Sequence, residues 1–265
     1  MKLEIISKYP TGNKNPTPLL FVHGAWIAAW CWDVHFLDFF ARNGWEAHAV
    51  SLRGHGESEG RAGLKWTRIA DYVEDVANAV KQLPTPPVLI GHSMGGFVVQ
   101  KYLEDHNPPA AVLLASAPPA GVLALTLRTA LRHPIALAKV NLTLSMLPLI
   151  ASSDMVREEA YSEDLPEKQF LAYWARMQDE SFAAYLDMMA FNLPKPGKVK
   201  TPLLVLGGAR DKMFMPGEVE ATARAYGVNH EIIPDLAHAA MLDPRWQSVA
   251  ERILAWLKER RLTKQ

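Results

Sequence analysis

Two pentapeptides of this chain fit the pattern G-x-S-x-G: Gly91-His92-Ser93-Met94-Gly95 and Gly56-Glu57-Ser58-Glu59-Gly60. A serine hydroxyl in such a pattern attacks a carbonyl carbon when a sharp strand-to-helix turn exposes its oxygen and a base takes its proton. Ser93 follows the apolar, β-branched run Val88-Leu89-Ile90 and precedes Met94, Phe97, Val98 and Leu103 at helical spacing. That is the required context. Ser58 lies between two glutamates with no helical pattern after it, and those charges would oppose the negative transition state of acyl transfer. Ser93 is therefore the expected nucleophile, and the match at Ser58 reads as accidental. A side chain at position 91 or 95 would crowd the turn, which explains the glycines.

The base is sought among nine histidines, because imidazole titrates closest to neutrality. His238 follows the last strand-like run, Glu231 to Pro234, and precedes the C-terminal helical stretch, so its loop belongs at the carboxyl edge of a sheet. His230 begins that run and reads as structural. His92 flanks the nucleophile without being able to turn back to its oxygen, and His48, His55, His106 and His133 have no comparable strand-end position. A carboxylate must fix the imidazole tautomer, and Asp211 emerges after Leu203 to Leu206 and two glycines. Asp235 lies only three residues before His238, and Asp243 is expected to start the final helix, where an acidic residue favours the helix dipole. The triad is thus Ser93, Asp211 and His238, in that chain order. Its oxyanion would meet the Met94 N–H, at the start of the helix after Ser93, and the Ala25 N–H in the loop Val22-His23-Gly24-Ala25-Trp26. The side chains of His23 and Trp26 are expected to shape that loop. There is no H-E-x-x-H, paired C-x-x-C or compact His/Asp cluster, so neither a metal nor another cofactor is expected.

These residues need a parallel sheet to bring them together. Short apolar runs at 19–22, 47–50, 88–90, 111–115, 203–206 and 231–233 read as buried parallel strands, with helical patterns at 34–41, 69–83 and 97–103 as crossovers. The fold class is α/β, a doubly wound, mostly parallel sheet, with Leu3 to Ser7 as an edge strand. From Pro118 to Pro196 the alternation stops and helix-like patterns prevail. A core of residues 1–117 and 197–265 with a helical cap at 118–196 follows. Such a cap would cover the strands' carboxyl ends, where ligands of open sheets bind; most of its apolar residues are expected to pack internally, and Trp26, Met146 and Met188 are candidate substrate contacts. Pro108 to Leu127 carries no charge, yet Pro108, Pro109, Pro118 and Pro119 break it into a buried strand and a loop rather than a membrane span.

Composition narrows the partners. Lys plus Arg and Asp plus Glu each total 28, so no net field draws nucleic acid or anionic lipid. The single cysteine, Cys31, sits between Trp30 and Trp32; it excludes intramolecular disulfides and is expected to be buried. The start, Met1-Lys2-Leu3-Glu4, has no apolar signal-like run, and the expectation is a cytoplasmic protein acting on a small molecule, with no stable membrane insertion and its oligomeric state left open.

With the segments His23 to Trp26 (H-G-A-W), Arg53 to Ser58 (R-G-H-G-x-S) and Gly91 to Gly96 (G-H-S-M-G-G), the chain resembles the α/β-hydrolase superfamily, specifically its capped esterases and lipases, over nearly its whole length. The resemblance implies an eight-stranded sheet with a helical lid; one early strand before Leu19 makes seven the alternative. It places the family roles on Ser93, Asp211 and His238, with Ala25 and Met94 as oxyanion donors. Epoxide hydrolases and haloalkane dehalogenases of that superfamily use an aspartate where Ser93 stands. Its hydroxynitrile lyases commonly carry lysine and threonine where this chain has Ala239 and Gly24. The expected activity is a serine hydrolase, a carboxylesterase acting on an ester, lactone or thioester of a small, largely apolar substrate through an acyl-serine. Carbon–carbon hydrolysis, lyase chemistry or haloperoxidase-like perhydrolysis on the same triad is the alternative, and a ligand sensor with little turnover a third.

Overall fold

A computed structural model describes residues 1–260 and Leu262. Seven strands form one sheet: β1 (Ile5–Lys8), β2 (Leu19–Val22), β3 (Ala47–Val50), β4 (Val88–His92), β5 (Ala111–Leu114), β6 (Leu203–Gly208) and β7 (His230–Ile233). Their order is β1-β3-β2-β4-β5-β6-β7, with β1 antiparallel to β3 and every other pair parallel. Among the described residues the sheet has seven strands, not eight, and the edge strand lies slightly later than Leu3 to Ser7. Its position is set by pairing Ile5 with Val50 and Lys8 with Ala47.

Strands β2 to β6 are buried along their whole length, which is why they read as continuous apolar runs rather than alternations. Each strand still sends successive side chains to opposite faces. Leu19 and Phe21 enter one core, with α1 (Trp30–Asp33), α2 (Phe36–Arg42) and α11 (Trp246–Glu259) packed over it. Leu20 and Val22 enter the other, under α3 (Ile69–Lys81), α4 (Met94–Tyr102) and α10 (Pro216–Ala225). Both faces are therefore covered, as a doubly wound sheet requires. Phe21 anchors the first core against Trp32 and Phe40, with ring centroids 5.0 and 5.5 Å away. Cys31 is fully buried in the same core.

Between β5 and β6 the chain forms α5 (Leu123–Arg132), α6 (Pro134–Thr143), α7 (Ser153–Ala160), α8 (Glu167–Trp174) and α9 (Phe182–Leu186), which runs on into a π turn at Asp187–Phe191. Both ends of this insertion are tied together, because the Val122 N–H donates to the Met188 carbonyl at 3.0 Å. Gly121, at φ 86°, allows the approach: a Cβ there would lie 2.4 Å from the same carbonyl. Among the described residues, no helix is long and apolar enough to cross a membrane.

The chain visits β2, moves to β3 on one side, and then crosses to β4 on the other side of β2. The crevice between the carboxyl ends of β2 and β4 is thus the switch point at which an open α/β sheet binds ligands.

Candidate active site

Ser93 occupies the turn between β4 and α4 at φ 54° and ψ −121°, a backbone region that a non-glycine residue enters only under constraint. The constraint is visible on both sides. The Ser93 N–H donates to the Leu114 carbonyl at 3.2 Å, and the Ser93 carbonyl accepts the Ala117 N–H at 3.1 Å. Close packing allows no side chain beside it: a Cβ on Gly95 would lie 2.3 Å from the His23 carbonyl oxygen and 2.4 Å from that of Val22. The elbow is therefore wedged against the loop that leaves β2.

Three strand ends converge on the serine oxygen. Ser93 Oγ lies 3.0 Å from His238 Nε2, and His238 Nδ1 lies 2.8 Å from Asp211 Oδ2. All three residues are buried. The other oxygen of Asp211 accepts the N–H groups of Met213 and Phe214 at 2.8 and 2.9 Å, which hold the carboxylate in place. With Asp211 accepting from Nδ1–H, Nε2 is left as the acceptor that faces the serine hydroxyl. His92 turns away from Ser93 and donates from Nε2 to the carbonyl of His238 at 2.9 Å, so it supports the histidine loop. Burial, and then the neighbouring His238, push the His92 pKa well down, which keeps that ring neutral.

The loop after β2 lies directly on the elbow, since a Cβ on Gly24 would come within 2.9 Å of Ser93 Cβ. Among the described residues, neither the Ala25 N–H nor the Met94 N–H has a hydrogen-bond partner. Both border the cavity above Ser93 and are free to donate to an anionic oxygen. The cavity is about 150 Å³, and its walls are largely apolar; Trp26, Met146 and Met188 are on them.

The second G-x-S-x-G segment has no such surroundings. Ser58 Oγ donates to the Ser51 carbonyl at 2.6 Å and accepts the Glu4 N–H at 2.8 Å, a loop tie with no base in reach. Asp235 is exposed and paired with Arg210 at 2.8 Å. Asp243 does not open the last helix, which begins three residues later at Trp246. It is buried instead, taking the Ser162 hydroxyl of the insertion and the Ala237 N–H beside His238. The sequence offers no local signal for this role, because Ser162 is 81 residues away.

Residues 178–181 escape the sequence reading altogether. The Gln178 N–H donates to the Trp26 carbonyl at 2.9 Å, while the Gln178 amide spans Gly54 and Gly56 at 2.8 and 2.9 Å. Glu180, fully buried, accepts from His55 at 2.9 Å, from the Tyr72 hydroxyl at 2.6 Å and from the Ser181 N–H at 2.6 Å. This strip links the insertion to the loop beside Ser93. Among the described residues, no group of three His, Cys, Asp or Glu side chains is placed to hold a metal ion.

The Alpha/beta hydrolase family model matches residues 19–252, a span that contains every residue of this site. The chain belongs to that family. Over 94 residues it is 36% identical to the protein phosphatase methylesterase 1 of Bos taurus, a match covering 34% of this chain and 24% of the methylesterase. Over 120 residues it is 32% identical to the non-heme chloroperoxidase of Burkholderia pyrrocinia, covering 41% and 40% of the two chains. The chain thus spans well under half the length of each of these two relatives. A thermophilic esterase from Thermogutta terrifontis superposes with a TM-score of 0.69 at 21% identity, over 97% of this chain and 93% of that one, which shows a shared fold.

Proposed function

We propose that this member of the family is a serine-dependent hydrolase that cleaves carboxylic esters, lactones or thioesters of small, largely apolar substrates. The observation that carries the reading is the unbroken chain of hydrogen bonds from Ser93 Oγ through His238 to Asp211. In the first half-reaction, Ser93 Oγ attacks the substrate carbonyl as its proton passes to His238 Nε2, and Asp211 stabilises the imidazolium. The Ala25 and Met94 N–H groups bind the oxyanion, the leaving group takes the proton from Nε2, and an acyl-Ser93 remains. Water then repeats the sequence, with His238 as base. No step calls for a cofactor.

Residues 118–196 act as a cap in this scheme, closing the cavity over a catalytic floor formed by the core. A volume near 150 Å³ suits a group about the size of benzene, so medium-sized apolar acyl or alkyl groups are the expected occupants. Perhydrolysis on the same triad is the second reading, favoured by the identity to the chloroperoxidase. It would use peroxide in place of water on the same acyl-Ser93. A sensor with little turnover fits less well, because the triad is fully assembled and its nucleophile is unblocked.

Changing Ser93→Ala should lower ester turnover by roughly 10⁴ to 10⁶ fold, whereas Ser58→Ala should leave it close to wild type. Steady-state kinetics on a panel of acyl esters, with and without peroxide, checks both. Wild-type turnover by the Ser93 variant would remove the nucleophile from this scheme.

A further inference from the structure

Helix α5 forms one wall of the cavity, and its polar positions point to what the substrate carries. Val122, Thr126, Thr129 and His133 border the cavity at spacings that place them on one helix face. The wall starts near the nucleophile, because Ala117, bonded to the Ser93 carbonyl, and Val122 both border the space above Ser93. At about 1.5 Å per residue, Thr126 lies roughly 6 Å and Thr129 roughly 10 Å along the axis from Val122.

The hydroxyls on this wall have their hydrogens committed. Thr126 Oγ1 lies 3.0 Å from the Val122 carbonyl and 3.1 Å from Met189 Sδ, both of which can only accept. Thr129 Oγ1 lies 2.9 Å from the Leu125 carbonyl. Tyr185 Oη lies 3.1 Å from Thr126 Oγ1, whose single hydrogen is already used, so the phenol must donate. Burial raises the Tyr185 pKa, which keeps that hydrogen in place. All three side chains are only half-buried and border the cavity. With their hydrogens committed, any hydrogen bond these hydroxyls make to a ligand is one they accept.

We propose that the substrate is a hydroxy ester, carrying a free hydroxyl a few carbons from the scissile bond that donates to the Tyr185–Thr126 oxygens. The inference rests on the esterase reading. Two chemical sources share this feature: a monoester of a diol or polyol, with the hydroxyl on the leaving group, and an ester of a hydroxy acid, with the hydroxyl on the acyl group. An alkyl group in the same place leaves the remaining lone pairs of these oxygens without a donor. An ether or ketone sets lone pair against lone pair.

The experiment compares matched pairs. Propyl hexanoate against 3-hydroxypropyl hexanoate probes the alcohol side, and ethyl hexanoate against ethyl 6-hydroxyhexanoate the acyl side. Wild-type kcat/KM should be about tenfold higher for the hydroxyl member of one pair, which identifies the source. Binding of the same four esters to the Ser93→Ala protein, followed by calorimetry, should show the same preference without turnover. Equal affinity within both pairs would overturn the inference whatever the activity. Preference in binding without any wild-type hydrolysis would overturn the esterase reading and leave the hydroxyl site standing. Thr126→Val supplies a further test, because it removes the acceptor of the Tyr185 hydrogen and frees the phenol to donate to a ligand. With that variant, 3-methoxypropyl hexanoate should gain affinity relative to wild type and the hydroxyl preference should shrink; an unchanged order of affinities would contradict the assignment.

Discussion

At the scale of single residues, His23 holds the peptide that the reaction would use. Its Nδ1–H donates to the Gly24 carbonyl at 2.8 Å, and its Nε2 accepts the Leu52 N–H at 3.0 Å. A peptide unit is planar and trans, so pinning the Gly24 carbonyl fixes the Ala25 N–H on the opposite side. Burial, helped by neighbouring His55, brings the His23 pKa down to about 3, and the neutral ring keeps one donor and one acceptor in these places near neutrality. His23→Phe would preserve a buried ring and release the carbonyl. We expect kcat to fall about 10- to 100-fold with little change in KM, since a misaimed oxyanion donor weakens the transition state more than the bound substrate. An unaltered kcat would show that the loop keeps its shape without this tie. From sequence, His23 reads only as a loop-shaping side chain. Its partner at Leu52 is 29 residues away, and no local pattern announces it. That Ser93, Asp211 and His238 meet is legible for the opposite reason: each lies within five residues of the end of a strand that the sequence marks by its apolar run.

At the scale of elements, the parallel strands were readable because burial on both faces leaves short uninterrupted apolar runs, such as Leu203 to Leu206. The path from the insertion back to the core was not. Its central contact, Glu180 with His55, joins two buried polar residues 125 positions apart. Burial works to raise the Glu180 pKa, but the charge of His55 and the hydrogen bonds from His55, Tyr72 and Ser181 outweigh it, and the carboxyl stays below its ordinary 4.5. A depressed carboxylate pKa adds stability that is fully present above the unfolded value and is lost as pH falls through the folded one. The clasp should therefore hold at neutral pH and weaken in acid below about pH 4.5. Glu180→Ala removes one partner of a buried pair and should cost about 3 kcal/mol at pH 7. Urea unfolding at pH 7 and pH 4 checks this: the difference between variant and wild type should shrink in acid. A constant difference would mean that the carboxylate charge contributes nothing.

At the scale of the whole molecule, the sheet does what no single segment can. It brings residues 93, 211 and 238 to one edge, with the loop after β2 as the fourth wall of the site. The insertion then sets the space above them, and its inner and outer surfaces were not separable by composition. Met146 and Met188 line the cavity, whereas Leu142 and Phe191, equally apolar, are 84% and 74% exposed. Which side faces inward depends on helix rotation and on ties such as Val122 to Met188, which only the folded chain displays. In this architecture Ser93, and no other serine, is expected to act as a nucleophile. Mass spectrometry of the intact protein and of its peptides after treatment with a fluorophosphonate tests it most directly. One adduct is expected, on the peptide containing Ser93, and none on the Ser93→Ala protein; an adduct on Ser58, or no adduct on a protein that still hydrolyses esters, would contradict it.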